Sequence, residues 1–437
     1  MKAGWIAVVG GACAGSEITQ CMVDAGYQVV VFEQNELPYG KIEDGLPKWH
    51  DKLRVKEIQR IDQKLDQAAV HFVPKCKIGT DVTLSQLLEW GFQMVVFANG
   101  AWRDRPLKVA GIEALDAQSF AYQNHLIYWY NHQFDANYAG QRFEIPPGAA
   151  IIGGGLASID VAKICQFENT IRALKKRGID CDDVQLEHYG IEKTLAEHNL
   201  TWDQLGIQPA RLFYRRNLNE MPLVPMADNP TPEQLEKAKT VREKVIGNAC
   251  RKFGFEAIPL HSPLSVESES GKLKGIHFQI NMSENGKLRD SGERTFIKAP
   301  FLVSSIGSIP EPVAEVPMIG ELYDALDDFT GVFRNLPQVC CVGNAITGKG
   351  NIQASLKSAG TLGKVLKEGL GTDDYAGFLE QQREDTRSQV DILIQYLKKL
   401  PHANAQGLSQ RIQALQAQRH YTSYTLWRDQ IQAERNG

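Results

Sequence analysis

A strand, a glycine-rich turn, a helix and a second strand follow one another at the amino end of the chain. Residues 5–9 are apolar and β-prone, and residues 10–15 are rich in glycine. The apolar residues that follow recur at helical spacing as far as Gly26, and the apolar run 28–32 ends at Glu33. This order predicts a βαβ unit that binds a dinucleotide, with the pyrophosphate at the start of the helix.

The residues of the first turn indicate which nucleotide it binds. Gly10 makes the bend and Gly15 lets helix and strand pack closely, while Ala12 stands where a glycine is usual. Glu33 lies where a carboxylate accepts hydrogen bonds from ribose hydroxyls, and its charge would repel a 2′-phosphate. The turn therefore favours an unphosphorylated adenosine, as in FAD. The candidate binding residues here are Gly10, Ala12, Cys13, Ala14, Gly15, Glu33 and Gln34.

A second glycine turn follows the apolar run 149–152 and carries a different charge pattern. Beyond a polar insertion at 166–206, the next strand ends in Arg215 and Arg216 instead of an acid. Guanidinium groups bind phosphate through two parallel hydrogen bonds, so this pair favours the 2′-phosphate of NADPH. The candidate residues are Gly153, Gly155, Leu156, Ala157, Arg215 and Arg216.

The remaining segments suggest an α/β protein with further elements. A buried strand at 94–98 is predicted, residues 230–253 form a charged helix, and 257–303 alternate as antiparallel strands do. In the last part, a second helix is predicted over 408–434, after a helix with an apolar stripe that predicts packing within the chain or against a second copy. The stripe residues are Val390, Leu393, Ile394, Leu397 and Leu400.

Size and composition exclude several classes. A chain of 437 residues predicts two or three domains, and a formal net charge of -4 argues against a nucleic-acid partner. No apolar run is long enough to cross a bilayer. The eight cysteines include no Cys-x-x-Cys spacing, which disfavours a dithiol reductase or a metal site and fits a reducing, cytoplasmic location. Cys340 and Cys341 are predicted to be buried thiols.

In its order of motifs the chain resembles the adrenodoxin reductase and ferredoxin–NADP reductase family, with the glutamate synthase small subunit as a close branch. The resemblance spans most of residues 4–368. It rests on Gly153-x-Gly155 followed by Asp160, on 213–216 leading to Glu220-Met221-Pro222, and on the segments 303–307 and 343–352.

The resemblance implies two Rossmann-like domains and a helical addition. Residues 1–108 and 340–370 would form the FAD domain, 109–339 an inserted NADPH domain, and 371–437 a helical extension. NADPH would give a hydride to FAD, and electrons would pass to a small ferredoxin-like protein. Asp160 would orient the nicotinamide amide or assist proton balance. Further flavin-contacting residues implied are Gly40, Gly45, Leu46, Ala98, Asn99, Gly100, Gly343, Asn344, Asn351 and Ile352.

Two departures from the family leave alternatives open. Glu43 stands where the family has an arginine, and Asn344 stands where it has a tryptophan beside the flavin. A flavin monooxygenase and a non-catalytic flavoprotein acting as scaffold or redox sensor therefore remain as alternatives. The glutamate synthase branch adds a third alternative, an electron-input subunit of a larger complex. Basic residues of the 230–253 helix are a candidate docking surface for the acidic partner.

Overall fold

The computed structural model describes residues 4–226, 229–284, 287–348, 350–371, 375–382, 384, 386–400 and 405–436. The strands in chain order are β1 (Trp5–Val9), β2 (Gln28–Phe32), β3 (Val70–Val73), β4 (Met94–Phe97), β5 (Arg103–Asp104), β6 (Phe120–Tyr122), β7 (Ala150–Gly153), β8 (Arg211–Phe213), β9 (Glu256–Ile258), β10 (His261–Glu269), β11 (Lys272–Glu284), β12 (Lys287–Lys298), β13 (Leu302–Ser305), β14 (Ser308–Ile309), β15 (Met318–Ile319), β16 (Leu322–Tyr323), β17 (Val332–Phe333) and β18 (Leu336–Cys341).

The helices account for most of the other described residues. They are α1 (Cys13–Asp24), α2 (Lys41–Asp44), α3 (Asp51–Leu65), α4 (Leu84–Glu89), α5 (Gln123–His132), α6 (Leu156–Lys175), α7 (Asp183–Tyr189), α8 (Ile191–Glu197), α9 (Trp202–Leu205), α10 (Pro232–Phe253), α11 (Asn344–Thr347), α12 (Ile352–Gly371), α13 (Tyr375–Glu380), α14 (Arg387–Lys399), α15 (Ala405–Gln418) and α16 (Tyr424–Asn436). Short 3-10 helices lie at Lys48–His50, Ile112–Ala114 and Leu218–Glu220.

The first sheet is six-stranded, in the order β17-β18-β4-β1-β2-β3, and is parallel except for β17. Its central strand β1 is buried on both faces, as expected for an apolar run without alternation. Helices α1, α3 and α12 cover one face. After β14 the chain returns to the first sheet and adds the strands β17 and β18 to it. Both strands begin before residue 340, where the predicted second segment of the FAD domain starts.

The second sheet is five-stranded and parallel, in the order β6-β13-β7-β8-β9. Helices α5, α6 and α10 pack on one face. The three-stranded antiparallel sheet of β10, β11 and β12 contributes to the core on the other face, where Phe213 and Phe278 stack with ring centroids 4.4 Å apart. Two parallel sheets with β1 and β7 each leading into a glycine turn confirm the predicted α/β, two-Rossmann architecture.

The carboxyl-terminal helices pack onto the first sheet's helical layer and its edges. The predicted stripe Val390, Leu393, Ile394 and Leu397 is buried in the same core as α1 and α12. These side chains are therefore covered within the chain and are not exposed for a second copy. The single helix predicted over 408–434 is instead α15 and α16, because His420 takes a left-handed φ of 55° between them.

Two further predictions concern the cysteines and the length of the apolar helices. All eight cysteines are free, and Cys340 and Cys341 are buried in β18, where burial raises the pKa of both thiols. Within the described ranges, no helix combines the length and the apolar character needed to span a bilayer.

Trp427 packs α16 against the core formed by the first sheet and its helices, so substituting it tests this packing. It is 5% exposed, and its Nε1 donates to the backbone carbonyl of Glu36 at 2.7 Å. Because truncating a buried tryptophan loses apolar burial and leaves a cavity, we expect Trp427→Ala to lower the free energy of unfolding by about 3–5 kcal/mol in urea denaturation. The neighbouring Leu426 is 63% exposed, so Leu426→Ala should cost less than about 0.5 kcal/mol. Equal effects of the two changes would contradict this packing.

Candidate functional site

The first glycine turn brings the start of α1 against the end of β1. A Cβ at Gly15 would lie 1.8 Å from the carbonyl oxygen of Gly10, so only glycine permits this approach. Gly10 itself has a φ of 93°, and a Cβ there would lie 2.9 Å from the Ala98 carbonyl oxygen. Among the described residues, no side chain caps the start of α1 at Ala12, Cys13 and Ala14. The free N–H groups of this helix start therefore suit an anion.

Glu33 meets this turn, although it lies far along the chain. Its Oε2 accepts the backbone N–H of Gly11 at 2.9 Å, and its Oε1 accepts that of Asn35 at 3.0 Å. The residue is 4% exposed, and burial raises the pKa of its carboxyl to about 7 against the opposing effect of these hydrogen bonds. Gln34 follows it, partly buried. The carboxylate predicted for ribose recognition is thus fixed beside the first glycine turn.

The segment 38–50 runs from this turn toward the second sheet. A Cβ at Gly40 would lie 2.9 Å from the Ala12 methyl carbon, so the segment approaches the first turn closely. Further along, past Gly45, the carbonyl oxygen of Leu46 accepts hydrogen bonds from Arg54 at 3.1 Å and from Asn131 at 3.0 Å. This segment is therefore held on both sides by side chains of α3 and α5.

Glu43, the residue that replaces the family's arginine, has a guanidinium partner from the far end of the chain. Arg435 of α16 places its Nη1 2.9 Å from Glu43 Oε1. Burial raises the pKa of the Glu43 carboxyl, and Arg435 opposes that rise. The negative charge at Glu43 is thus balanced by the helical extension, a role that the sequence did not reveal.

Two amide side chains stand at the carboxyl ends of β4 and β18 with oxygens that lack partners. Asn99 donates to the Tyr323 hydroxyl at 2.8 Å, but its Oδ1 is buried without a hydrogen bond among the described residues. Oδ1 of Asn344 is likewise buried without a hydrogen bond among the described residues. Asn344 follows Gly343, whose φ is 78°. Such atoms are costly unless a further group satisfies them. These oxygens can accept a donor such as the imide N–H of a flavin ring, so the site fits the group that the sequence implies.

The other residues predicted at these strand ends have distinct positions. Ala98 is buried beside Gly10, and Gly100 has a φ of 68° with open space at its Cβ position. Asn351 is exposed, and its Oδ1 accepts the backbone N–H of Ala354 at 2.7 Å, which caps α12 just before Ile352. Asn351 therefore has a structural role at the start of α12.

The second glycine turn also joins a buried strand to the start of a helix, but its close approaches are to other groups. A Cβ at Gly153 would lie 2.4 Å from the Ser305 carbonyl oxygen, and one at Gly154 would lie 2.3 Å from the Tyr214 ring. A Cβ at Gly155 would meet nothing within 4 Å. Next to it, α6 begins at Leu156 and Ala157 without a side-chain cap among the described residues, and Leu156 is 56% exposed. The space at Gly155 is therefore open to a ligand.

The two arginines follow β8, the strand beside β7. Arg215 is exposed, whereas Arg216 is partly buried and places its Nη1 3.4 Å from Glu220 Oε1. A third arginine, Arg242 of α10, donates to the Asn219 carbonyl oxygen at 3.2 Å in the same neighbourhood. Positive charge is therefore concentrated at the strand end where the sequence predicted a phosphate.

Asp160, the candidate catalytic residue, pairs with a histidine that sequence reasoning missed. His50 Nε2 lies 3.3 Å from Asp160 Oδ2, and the two residues come from the segment 38–50 and from α6. Lys163 Nζ is also 3.4 Å from Asp160 Oδ1. An imidazole–carboxylate pair of this kind can hold or move a proton. A lone histidine in a turn-rich segment carried no signal, because its partner lies on another element.

His132 provides a pH test of how the segment 38–50 is held. Its Nε2 lies 2.9 Å from Asp44 Oδ1 and its Nδ1 lies 2.6 Å from Asp135 Oδ2. Burial alone would lower the pKa of His132, but the two carboxylates outweigh it and raise the pKa above 6.5. A raised histidine pKa means stabilisation that is complete below pH 6.5 and is lost as the pH rises through the folded-state pKa.

We therefore expect His132→Gln to lower the free energy of unfolding by about 1.5–3 kcal/mol at about pH 6 and by less at about pH 9, measured by urea denaturation. His198→Gln, which removes an exposed imidazole, is the matched control. A loss from His132→Gln that grows with pH would show that the sign is wrong.

Comparisons with known proteins agree with this geometry. No family model matches the chain. The chain is similar to the glutamate synthase [NADPH] small chain of Bacillus subtilis, 26% identical over 280 residues that cover 62% of this chain and 47% of that protein. It is also similar to the mitochondrial NADPH:adrenodoxin oxidoreductase of Arabidopsis thaliana, 27% identical over 163 residues that cover 36% and 32% of the two chains. The matched segments thus span about half of these curated relatives or less.

Among solved structures, the chain is similar to Mycobacterium tuberculosis FprA in complex with NADPH. The TM-score is 0.65 at 20% identity, and the match covers 90% of each chain. The family resemblance stated from the motifs is confirmed by the relatives, and the fold is confirmed by this structure.

Proposed function

We propose that this chain is an FAD-dependent oxidoreductase that takes a hydride from NADPH and passes the electrons on singly. The observation that carries the proposal is a pair of glycine turns, each leading into a helix whose start no described side chain caps, together with the His50–Asp160 contact between the segment 38–50 and α6. The strand beside each turn ends in the opposite charge: Glu33 follows β2, beside the first turn, and Arg215 and Arg216 follow β8, beside the second. Such a pairing suits two different nucleotides that must react with each other.

In this proposal the first turn would hold FAD. Gly10 to Gly15 would receive the pyrophosphate, and Glu33 would exchange its hydrogen bond from Gly11 for ribose hydroxyls. The buried oxygens of Asn99 and Asn344 would accept donors from the ring. The names of both relatives and the complex of the similar solved structure include NADPH, which supports the second nucleotide.

The chemistry divides between cofactor and protein. FAD, when bound, supplies two-electron acceptance with single-electron release. The chain's own residues bind and orient: the start of α6 receives the pyrophosphate of NADPH, and Arg215 with Arg216 receives its 2′-phosphate. Asp160 orients the nicotinamide amide, and His50 Nε2 holds a proton against Asp160 Oδ2. Hydride transfer needs no nucleophile, so positioning is the main contribution of the protein.

The acceptor we propose is a small ferredoxin-like protein. Support comes from the motif resemblance and from α10, whose Lys237, Lys244, Arg251 and Lys252 are exposed. A basic surface of this kind complements an acidic partner and speeds its association. The alternative, an electron-input subunit of a larger complex, draws support from the glutamate synthase relative. The two differ in whether a stable large complex co-purifies with the chain from its host.

The central test is spectroscopic. Purified protein loaded with FAD should lose its flavin absorbance anaerobically much faster with NADPH than with NADH. Because Arg215 is exposed and would give a charged hydrogen bond of about 1.5–3 kcal/mol, Arg215→Ala should raise the KM for NADPH at least about tenfold and leave NADH unchanged. Arg289→Ala, on the exposed strand β12, is the control. A protein that takes up no flavin would refute the proposal, and an unchanged nucleotide preference in Arg215→Ala would remove its specificity argument.

Gly155 allows binding to be separated from folding. Its φ of -88° and ψ of 175° suit alanine, and the added Cβ would meet no protein atom within 4 Å. We expect Gly155→Ala to unfold at the wild-type urea concentration but to raise the KM for NADPH, since the methyl group would occupy the pyrophosphate's approach. Gly154→Ala should instead destabilise the fold, because its Cβ would overlap the Tyr214 ring. Unaltered NADPH kinetics in Gly155→Ala would place the nucleotide elsewhere.

A further inference from the structure

The amino group of Lys41 lies partly buried at the junction of the two sheets' domains. Its Nζ donates to the Ser308 hydroxyl at 2.9 Å and to Asn124 Oδ1 at 3.1 Å. Both acceptors are neutral and belong to other elements, β14 and α5. The neighbouring carboxylate, Asp104, instead accepts the backbone N–H of Asn124 at 3.3 Å. The ammonium charge is therefore attracted by Asp104 but is held directly by neutral groups.

The position of Lys41 relates it to the proposed flavin site. It follows Gly40, whose added Cβ would lie 2.9 Å from the Ala12 methyl carbon and 3.6 Å from the Trp102 ring. The Lys41 ammonium is 5.8 Å from the centre of that ring. Trp102 lies shortly after the strand end at 98–100. Lys41 is therefore close to both the first glycine turn and the end of β4, on the side of the second sheet.

A purely structural role for this ammonium explains the contacts poorly. Asn124 Nδ2 already donates to the Ser308 hydroxyl at 3.1 Å and to the Trp102 carbonyl oxygen at 2.9 Å, so the junction is bonded without the lysine. Burying a cation among neutral groups costs free energy that a methyl-ended side chain would not. Burial lowers the pKa of Lys41 to about 8, with Asp104 opposing the change, so the group remains mainly charged at neutral pH.

We propose that Lys41 sets the redox potential of the bound flavin, its ammonium stabilising the negative charge that the ring acquires on reduction. This inference rests on the proposed function. Reduction by hydride brings two electrons and one proton to the ring and leaves it with one additional negative charge. Lys41 keeps its own proton throughout, and its charge acts by electrostatic attraction across a partly buried region, where screening by water is weak.

The experiment measures the midpoint potential of the FAD-loaded full chain by equilibration with a reference dye. We expect Lys41→Met to lower the ratio of reduced to oxidised flavin at least tenfold at a fixed dye potential, which corresponds to about 30 mV for two electrons. Lys41→Arg, which retains the charge, should keep the ratio of reduced to oxidised flavin within about twofold of the wild type, or about 10 mV. Lys48→Met removes an exposed charge from the same segment and should leave the potential unchanged.

The outcomes separate the two levels of the argument. A wild-type potential in Lys41→Met, with or without a loss of stability, would overturn the proposal and make Lys41 a bridge between domains. If Lys41→Met does not retain FAD, Lys41→Gln can still donate to Asn124 and Ser308, and an unchanged potential there is equally decisive against it. A wild-type chain that binds no flavin would instead refute the proposed function.

Discussion

The approach of Gly15 to the Gly10 carbonyl oxygen is the constraint on which the first domain depends. With any side chain at position 15 the helix would be pushed away, since a Cβ there would lie 1.8 Å from that oxygen. The approach places the uncapped start of α1 directly over the end of β1. Glu33 can then reach the Gly11 N–H from the neighbouring strand. A close backbone contact thus creates the anion site and positions the carboxylate that accompanies it.

The second sheet also leads into a helix through a glycine turn, but different contacts fix that turn. Gly153 sits against Ser305, and Ser158 Oγ bonds to the Ser305 carbonyl oxygen at 3.1 Å, which fixes the start of α6 on the sheet. The adjacent strand also ends differently, with arginines in place of the acid. In the proposed function, nucleotide preference depends on the side chains at these two strand ends.

The segment 38–50 connects the two halves and is held by residues far apart in the chain. Asp62 of α3 accepts hydrogen bonds from the Tyr39 hydroxyl at 3.0 Å and the Tyr424 hydroxyl at 2.8 Å. With Arg435 on Glu43, these contacts make α16 part of the wall behind the segment. The helical extension is thus an integral support of the proposed flavin domain, since its apolar side chains share that domain's core.

Local sequence patterns were sufficient to predict the fold and the two glycine turns. A strand, a turn or a helix is predicted from neighbouring residues, and Glu33 and Arg215 each occur where the pattern of a nucleotide-binding unit leads one to look for a charged residue. The charged helix at 230–253 was predicted for the same reason, as were the antiparallel strands, which span residues 261–298; the ends of the predicted range 257–303 instead belong to the parallel strands β9 and β13. The break between α15 and α16 was not predicted. The residue with the left-handed backbone there is His420, whereas glycine is the residue type that usually indicates such a conformation.

The tertiary structure alone decided which distant side chains meet. His50 with Asp160, Lys41 with Ser308, and Glu43 with Arg435 are each separated by a hundred residues or more along the chain. No periodicity links such positions, since their proximity depends on how two separately folded sheets and a terminal helix pack. The sequence therefore determined two nucleotide-type turns and their opposite charges. The packing of the two sheets and the terminal helix determined that His50 meets Asp160, that Lys41 meets Ser308 and that Arg435 balances the charge of Glu43.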